Sequence, residues 1–202
     1  KRQIQTHLAE STPECARVRE LFPDLPNYVA VYDAFDLVGP RTLLAHAIHL
    51  NADEWDLIAR RDAVVVHCPG ANTFLRSGMF DLRAARDHGI RVALGSDVAA
   101  GPDLAMPRVA RQMIEVAKLR AMHDPRAIVP TPADAWTMIT RGNAEMLGWR
   151  DAGHLELGAS ADVLVMRLPF EVDSHLIGRL IYTWTNDYIE TRIVDGALTA
   201  QN

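Results

Sequence analysis

Short apolar runs and longer stretches of helical spacing alternate along residues 2–120. Runs at 2–8, 42–45, 63–67 and 91–95 have strand length, and the third (Ala63-Val64-Val65-Val66-His67) is continuous, as in a strand covered on both faces. Between them the 3.6-residue period predicts helices at 13–22, 52–60 and 79–88 and a long one from about 104. Ser11 or Thr12 and Asn51 stand where N-caps belong, and Gly89 where a left-handed stop belongs. Four βα units joined by right-handed crossovers make a parallel sheet or part of a barrel.

Beyond residue 125 the texture changes. Residues 125–132 read as a flexible connection, and 132–147 as one helix between Thr131 as cap and Gly148 as stop. A turn and strand follow at 158–166. Two more strands, 189–194 and 197–200, flank Asp195-Gly196, a strong hairpin signal. The pattern divides the chain into an α/β part, 1–150, and a small β module, 151–202, with a connecting helix.

Several strands run into a polar group. Ile4-Gln5-Thr6-His7 leads to Glu10, Thr42-Leu43-Leu44-Ala45 to His46, and Arg91-Val92-Ala93-Leu94 to Asp97, which stands between Gly95 and Gly101. Strand ends are where a (β/α)8 barrel carries its chemistry. A histidine offers nitrogen to Zn²⁺, and a carboxylate three residues past it can turn into the same pocket as a proton carrier. Taken singly, each has a plain alternative: Glu10 in the first turn of a helix, His7 and His46 as core histidines, Asp97 as a helix cap. The joint pattern points to a metal hydrolase. His67, before Cys68 and Pro69, suits a pocket wall better than a direct ligand. His49 reads as structural, and His88, His123, His154 and His175 have no partners in sequence.

Composition narrows this further. The 202 residues allow one sizeable core, or one domain and part of another. A net charge of -5 argues against nonspecific nucleic-acid binding. Two cysteines, Cys15 and Cys68, are too few for a disulfide scaffold and suit a reducing compartment, the cytoplasm. No apolar run approaches the ~20 residues that span a bilayer. The chain opens directly on the strand bearing His7 and reads as the back half of an enzyme.

Gln5-Thr6-His7-Leu8-Ala9-Glu10, Leu44-Ala45-His46, Val66-His67-Cys68-Pro69 and Gly95-Ser96-Asp97-Val98-Ala99-Ala100-Gly101 together resemble the second half of the amidohydrolase superfamily, within it the guanine deaminase family. The Ser-Asp-Val-Ala-x-Gly ending, Tyr28 to Asp33 and the 153–164 tail share that likeness. The resemblance implies α/β architecture: strands five to eight of a metal-dependent (β/α)8 TIM barrel, with part of an appended β-sandwich. It implies a zinc-dependent hydrolase of purine catabolism that converts guanine to xanthine and ammonia as a cytoplasmic homodimer. His7 and Asp97 would be zinc ligands, and Asp97 would also take a proton from the bound water. Glu10 would shuttle that proton to the purine and on toward ammonia. His46 would hydrogen-bond the hydroxide, and His7, Glu10 and Asp97 would contact the purine.

The family's His-x-His pair on strand one is absent here, and its Gln and its Arg-Phe substrate clamp would lie upstream. His7 and Asp97 alone fall short of the usual three protein ligands. The chain is therefore expected to be a fragment, part of a longer chain, or half of an assembly, and inactive by itself. Two other readings remain: another amidohydrolase acting on a triazine, a pterin or a different purine, and a truncated non-catalytic polypeptide that binds a partner through an open barrel edge.

Overall fold

The chain threads four parallel strands in sequence order, with helices between them covering one face. A computed structural model describes residues 3–199. The strands are β1 (Ile4–Leu8), β2 (Thr42–His46), β3 (Val64–His67) and β4 (Arg91–Leu94), arranged β1-β2-β3-β4. The expected start at Arg2 lies outside the described residues. The register sets Leu8 opposite His46, Ala45 opposite Val66, and His67 opposite Leu94. It brings the C-terminal ends level, so the residues just beyond them share one rim.

Local chemistry starts the helices. Helix α1 (Thr12–Leu21) is capped by Ser11, with Glu14 closing a capping box. Asn51 and Glu54 do the same for α3 (Ala52–Arg60). Between these lies α2 (Tyr28–Ala34), an element the sequence pattern does not predict. Its Tyr-Val-Ala-Val-Tyr run has strand-like residues, but Asn27 caps it, and buried Glu54 accepts from the Tyr28 N–H at 3.1 Å. A tertiary contact here overrides local preference. Two further short helices, α4 (Pro69–Phe74) and α5 (Leu82–Asp87), flank β4 on its N-terminal side in sequence. Helix α5 starts three residues later than the pattern suggests, because Asp81 caps it through the Arg83 and Ala84 N–H groups.

The long helix α6 (Met106–Ala121) carries Val109, Ala110, Met113 and Ile114 into a core with Leu94. The predicted single helix over 132–147 is interrupted. It runs as α7 (Pro132–Thr137), a π-helical turn (Met138–Gly142) and α8 (Asn143–Leu147). Thr140 leaves helical angles (φ −117°, ψ −105°) while its hydroxyl donates back to the Trp136 carbonyl at 2.8 Å. Beyond the break, Asn143 lies against β4. Its side-chain amide donates to the Leu94 carbonyl at 2.8 Å and accepts from the Leu94 N–H at 2.9 Å, like an added peptide unit on the strand edge.

Strands β5 (Val163–Met166), β6 (Ile189–Val194) and β7 (Ala197–Leu198) form an antiparallel sheet. Asp195 and Gly196 both take positive φ in the β6–β7 turn, as the sequence suggests. The expected continuation of β7 to Ala200 lies outside the described residues. Between β5 and β6, in the part expected to hold a connecting helix, α9 (Leu176–Thr183) sends Ile181 into the core beside α6.

The larger core, with Leu8, Val29, Leu44, Trp55, Ile58 and Val65, fills the helix-covered side of the sheet. The opposite side is a groove of about 380 Å³ lined by Gln5, Leu43, Ala45, Val66, Cys68, Gly95 and Asp97. Among the described residues no helix is long and apolar enough to cross a membrane.

Candidate active site

The ends of β1, β2 and β4 turn sharply beside their polar residues. Ala9, His46, Ala47 and Asp97 all adopt left-handed backbone angles (φ 47°, 72°, 50° and 47°), sparsely populated for residues with a Cβ. Such backbone persists where surrounding bonds over-determine it. Here the Ala47 N–H donates to the Leu8 carbonyl at 2.8 Å, and the Ile48 and His49 N–H groups donate to the Ala9 carbonyl, both at 3.1 Å. The loops after β1 and β2 are thus tied together. After β4, the Asp97 carbonyl accepts from Ala100 at 3.2 Å and Gly101 at 2.5 Å. A Cβ on Gly101 would collide with the Ser96 carbonyl, so only glycine closes this turn.

Glu10 lies outside α1, ahead of its cap. Glu14 is the acidic residue of the first turn, and its carboxylate accepts from the Glu10 N–H at 2.8 Å and the Ser11 N–H at 3.1 Å. The Glu10 side chain is left to face the rim.

These turns bring the sequence-predicted residues together. His7 Nε2 stands 3.8 Å from Asp97 Oδ1, and His46 Nε2 stands 3.8 Å from both Asp97 Oδ2 and Glu10 Oε2. The His7 and His46 rings stack with centroids 5.0 Å apart. One ligand atom each from His7, His46 and Asp97 lies within 4.8 Å of the others. Tetrahedral ligands around zinc would stand about 3.4 Å apart; these donors stand somewhat wider, and small side-chain rotations would bring them onto a single divalent ion. His46 is completely buried, and its Nε2 has no hydrogen-bond partner among the described residues. Its Nδ1–H donates to Asn72 Oδ1 at 2.8 Å, which aims Nε2 at the two carboxylates. The His7 side chain is half exposed.

His67 is buried, stacks on Phe80 at 4.7 Å and stands outside the ligand group. Burial, and secondarily the neighbouring His46, pushes its imidazole down to about 3 from 6.5. It is neutral in the folded protein at pH 7. The unfolded chain takes up a proton near pH 6.5 that the folded chain refuses until about pH 3. Its contribution is therefore intact above pH 6.5 and is lost as pH falls toward 3. By pH 4 the cost should reach roughly 3 kcal/mol. Denaturant midpoints from pH 7 to pH 4 should fall more steeply for the parent than for His67→Asn. Equal slopes would exclude His67 as the cause. Burial, with the Asp97 charge adding to it, pushes the Cys68 thiol up to about 12, so it is a packing group at neutral pH.

Sequence reasoning missed the residues that seat the site: Glu14, Asn72 and Ser77. Only the Ser11–Glu14 spacing carried a signal, as a capping box. Asn72 lies on α4, a six-residue helix without a side-chain cap. His49, read as structural, donates through Nε2 to the Ser77 carbonyl at 2.8 Å.

Comparison with known proteins agrees with this geometry. Residues 1–199 match the family model described as "Amidohydrolase family". The Schizosaccharomyces pombe protein named "Probable guanine deaminase" is 36% identical over 174 residues, 85% of this chain and 33% of that protein. The guanine deaminase of Escherichia coli (strain K12) is 32% identical over 164 residues, 81% of this chain and 36% of that protein. Among solved structures, guanine deaminase from C. acetobutylicum with bound guanine in the active site superposes with a TM-score of 0.91 at 32% identity. That match covers 98% of this chain and 48% of that one. The chain thus spans between a third and a half of the length of these relatives.

Proposed function

The chain belongs to the amidohydrolase family, and from that premise we propose that it carries part of the active site of a zinc-dependent guanine deaminase, which hydrolyses guanine to xanthine and ammonia. The observation that carries this reading is the convergence of Glu10, His46 and Asp97 at 3.8 Å, with His7 beside them, on one rim of a parallel sheet. The guanine deaminases among its relatives supply the substrate. We read β1 to β4 as strands five to eight of a (β/α)8 barrel. Residues 1–150 are then the barrel part, and 151–202 the final strands of an appended β-sandwich with its connecting helix. A cytoplasmic homodimer belongs to the same reading and rests on the family resemblance alone.

His7 and Asp97 would hold the zinc, with further ligands drawn from polypeptide outside these four strands, since three protein ligands are usual. When bound, zinc supplies a Lewis acid that brings the pKa of water to about 7. The remaining work falls to side chains of this chain. Asp97 takes a proton from the attacking water, and His46 Nε2 accepts a hydrogen bond from it. Glu10 delivers a proton to the ring nitrogen beside the amino-bearing carbon, because an anionic ring resists a nucleophile. The proton it delivers is the one Asp97 took from the water, and the ring nitrogen keeps it in xanthine. The water's second proton, released as the new C–OH becomes C=O, passes through Glu10 to the departing amine, so one water enters and one ammonia leaves. Glu10 Oε2 lies on the same rim, 3.8 Å from His46 Nε2.

Ammonia release from guanine, a triazine, a pterin and adenine by the zinc-loaded active enzyme tests the assignment. Guanine should be preferred. Turnover of another heterocycle with guanine left untouched would replace the substrate assignment. The 202-residue chain alone should bind zinc weakly, and tight stoichiometric binding would show that the ligand set is misread.

A further inference from the structure

We propose that Ser77 is a positioning residue for Glu10, holding one carboxylate oxygen so that the other carries the proton toward the purine. This rests on Glu10 being the proton carrier. The two oxygens of Glu10 have different surroundings. Oε1 accepts from the Ser77 hydroxyl at 2.9 Å, across 67 residues of sequence, whereas Oε2 faces His46 Nε2 at 3.8 Å. An oxygen that already accepts a hydrogen bond is the less basic of the pair. That leaves Oε2, the oxygen on the rim, free to exchange a proton. The same bond fixes the rotamer of a side chain on a loop.

Ser77 is itself firmly seated. Its N–H donates to the Asn72 carbonyl at 2.8 Å, and its own carbonyl accepts from His49 Nε2 at 2.8 Å. The next residue, Gly78, has φ +141°, and a Cβ there would meet the Ile48 side chain at 2.9 Å. The hydroxyl is thus placed by backbone that only glycine permits. Asn72 also accepts from His46 Nδ1. One segment, residues 72–77, therefore orients both His46 and Glu10, although neither lies near it in sequence.

The experiment compares Ser77→Ala and Ser77→Thr with the parent in the zinc-loaded active enzyme, measuring kcat, KM and zinc content, together with a crystal structure of Ser77→Ala. In Ser77→Ala kcat should fall about 10- to 100-fold, the scale of a misplaced reacting group. KM should stay within about twofold, because substrate binding does not use the hydroxyl. Zinc content should not change, and Ser77→Thr should recover most of kcat. In the crystal the Glu10 carboxylate should turn away from His46. Wild-type kcat in Ser77→Ala overturns the proposal. So does zinc loss in that variant, or an equal kcat loss in Ser77→Thr, either of which marks a merely structural role. If the parent enzyme does not deaminate guanine, the functional reading fails separately. The crystal structure then still decides: an unmoved Glu10 carboxylate overturns the positioning role, and a displaced one supports it.

Discussion

Asp97→Ala in the active enzyme should lower turnover by about 10³-fold or more, equivalent to about 4 kcal/mol of barrier, and should reduce zinc content. Asp97 is the one carboxylate of the group that reaches both histidines, with one oxygen 3.8 Å from His7 and the other 3.8 Å from His46. On the proposed reading, its loss would remove a metal ligand and a proton acceptor together. The fold should survive. The turn is closed by the Asp97 backbone carbonyl, which alanine keeps, and by Gly101. The remaining cost is that of alanine in left-handed backbone at φ 47°, about 1 kcal/mol. Near-normal deamination would remove Asp97 from the mechanism. A collapsed thermal transition would show that the residue is needed for folding, and Asp97→Asn would then separate charge from shape.

Glu10→Gln should lower kcat by about 10²–10⁴, the scale of a lost general acid–base group, while zinc content stays near that of the parent. The amide keeps an oxygen able to accept from Ser77, so the side chain should remain in place without a proton to deliver. Guanine or a product-like purine should still bind. The plain alternative, an ordinary helix-start residue, predicts a stability change of about 1 kcal/mol or less and unchanged turnover. The structure already assigns that helix-start position to Glu14, since α1 begins at Thr12 with Ser11 as cap. Zinc content and kcat measured on one Glu10→Gln preparation decide the matter. Full zinc with full activity would sink the proton-carrier role.

Much of the fold was legible because its signals are local. The apolar runs of β2 and β3 close on a histidine, and that of β4 on Gly95. Ser11 with Glu14, Asn51 with Glu54 and Thr131 with Asp134 are capping pairs three residues apart. Asp195-Gly196 carries its turn in two residues. His7, His46 and Asp97 could be singled out for a similar reason: each interrupts an apolar run at a strand end. The short helices α2 and α4 escaped notice, because six or seven residues, fewer than two turns, look like strand or loop until a neighbour buries them. The break at Thr140 was equally silent, since the apolar spacing runs through it unchanged.

By itself, the amino-acid sequence determined the strand–helix alternation, the helix caps, the hairpin and the identity of the polar strand-end residues. All of these depend on neighbours within about four residues in the chain. Only the tertiary structure decided that these residues meet, and on what frame. Asn143 caps the edge of β4 from 49 residues away, and Ser77 grips Glu10 from 67. Contacts of that span are set by strand register and by left-handed turns at strand ends. The pleat fixes which side chains share a face, and the turn fixes where the next residue points. Neither quantity is encoded in any short window of the chain.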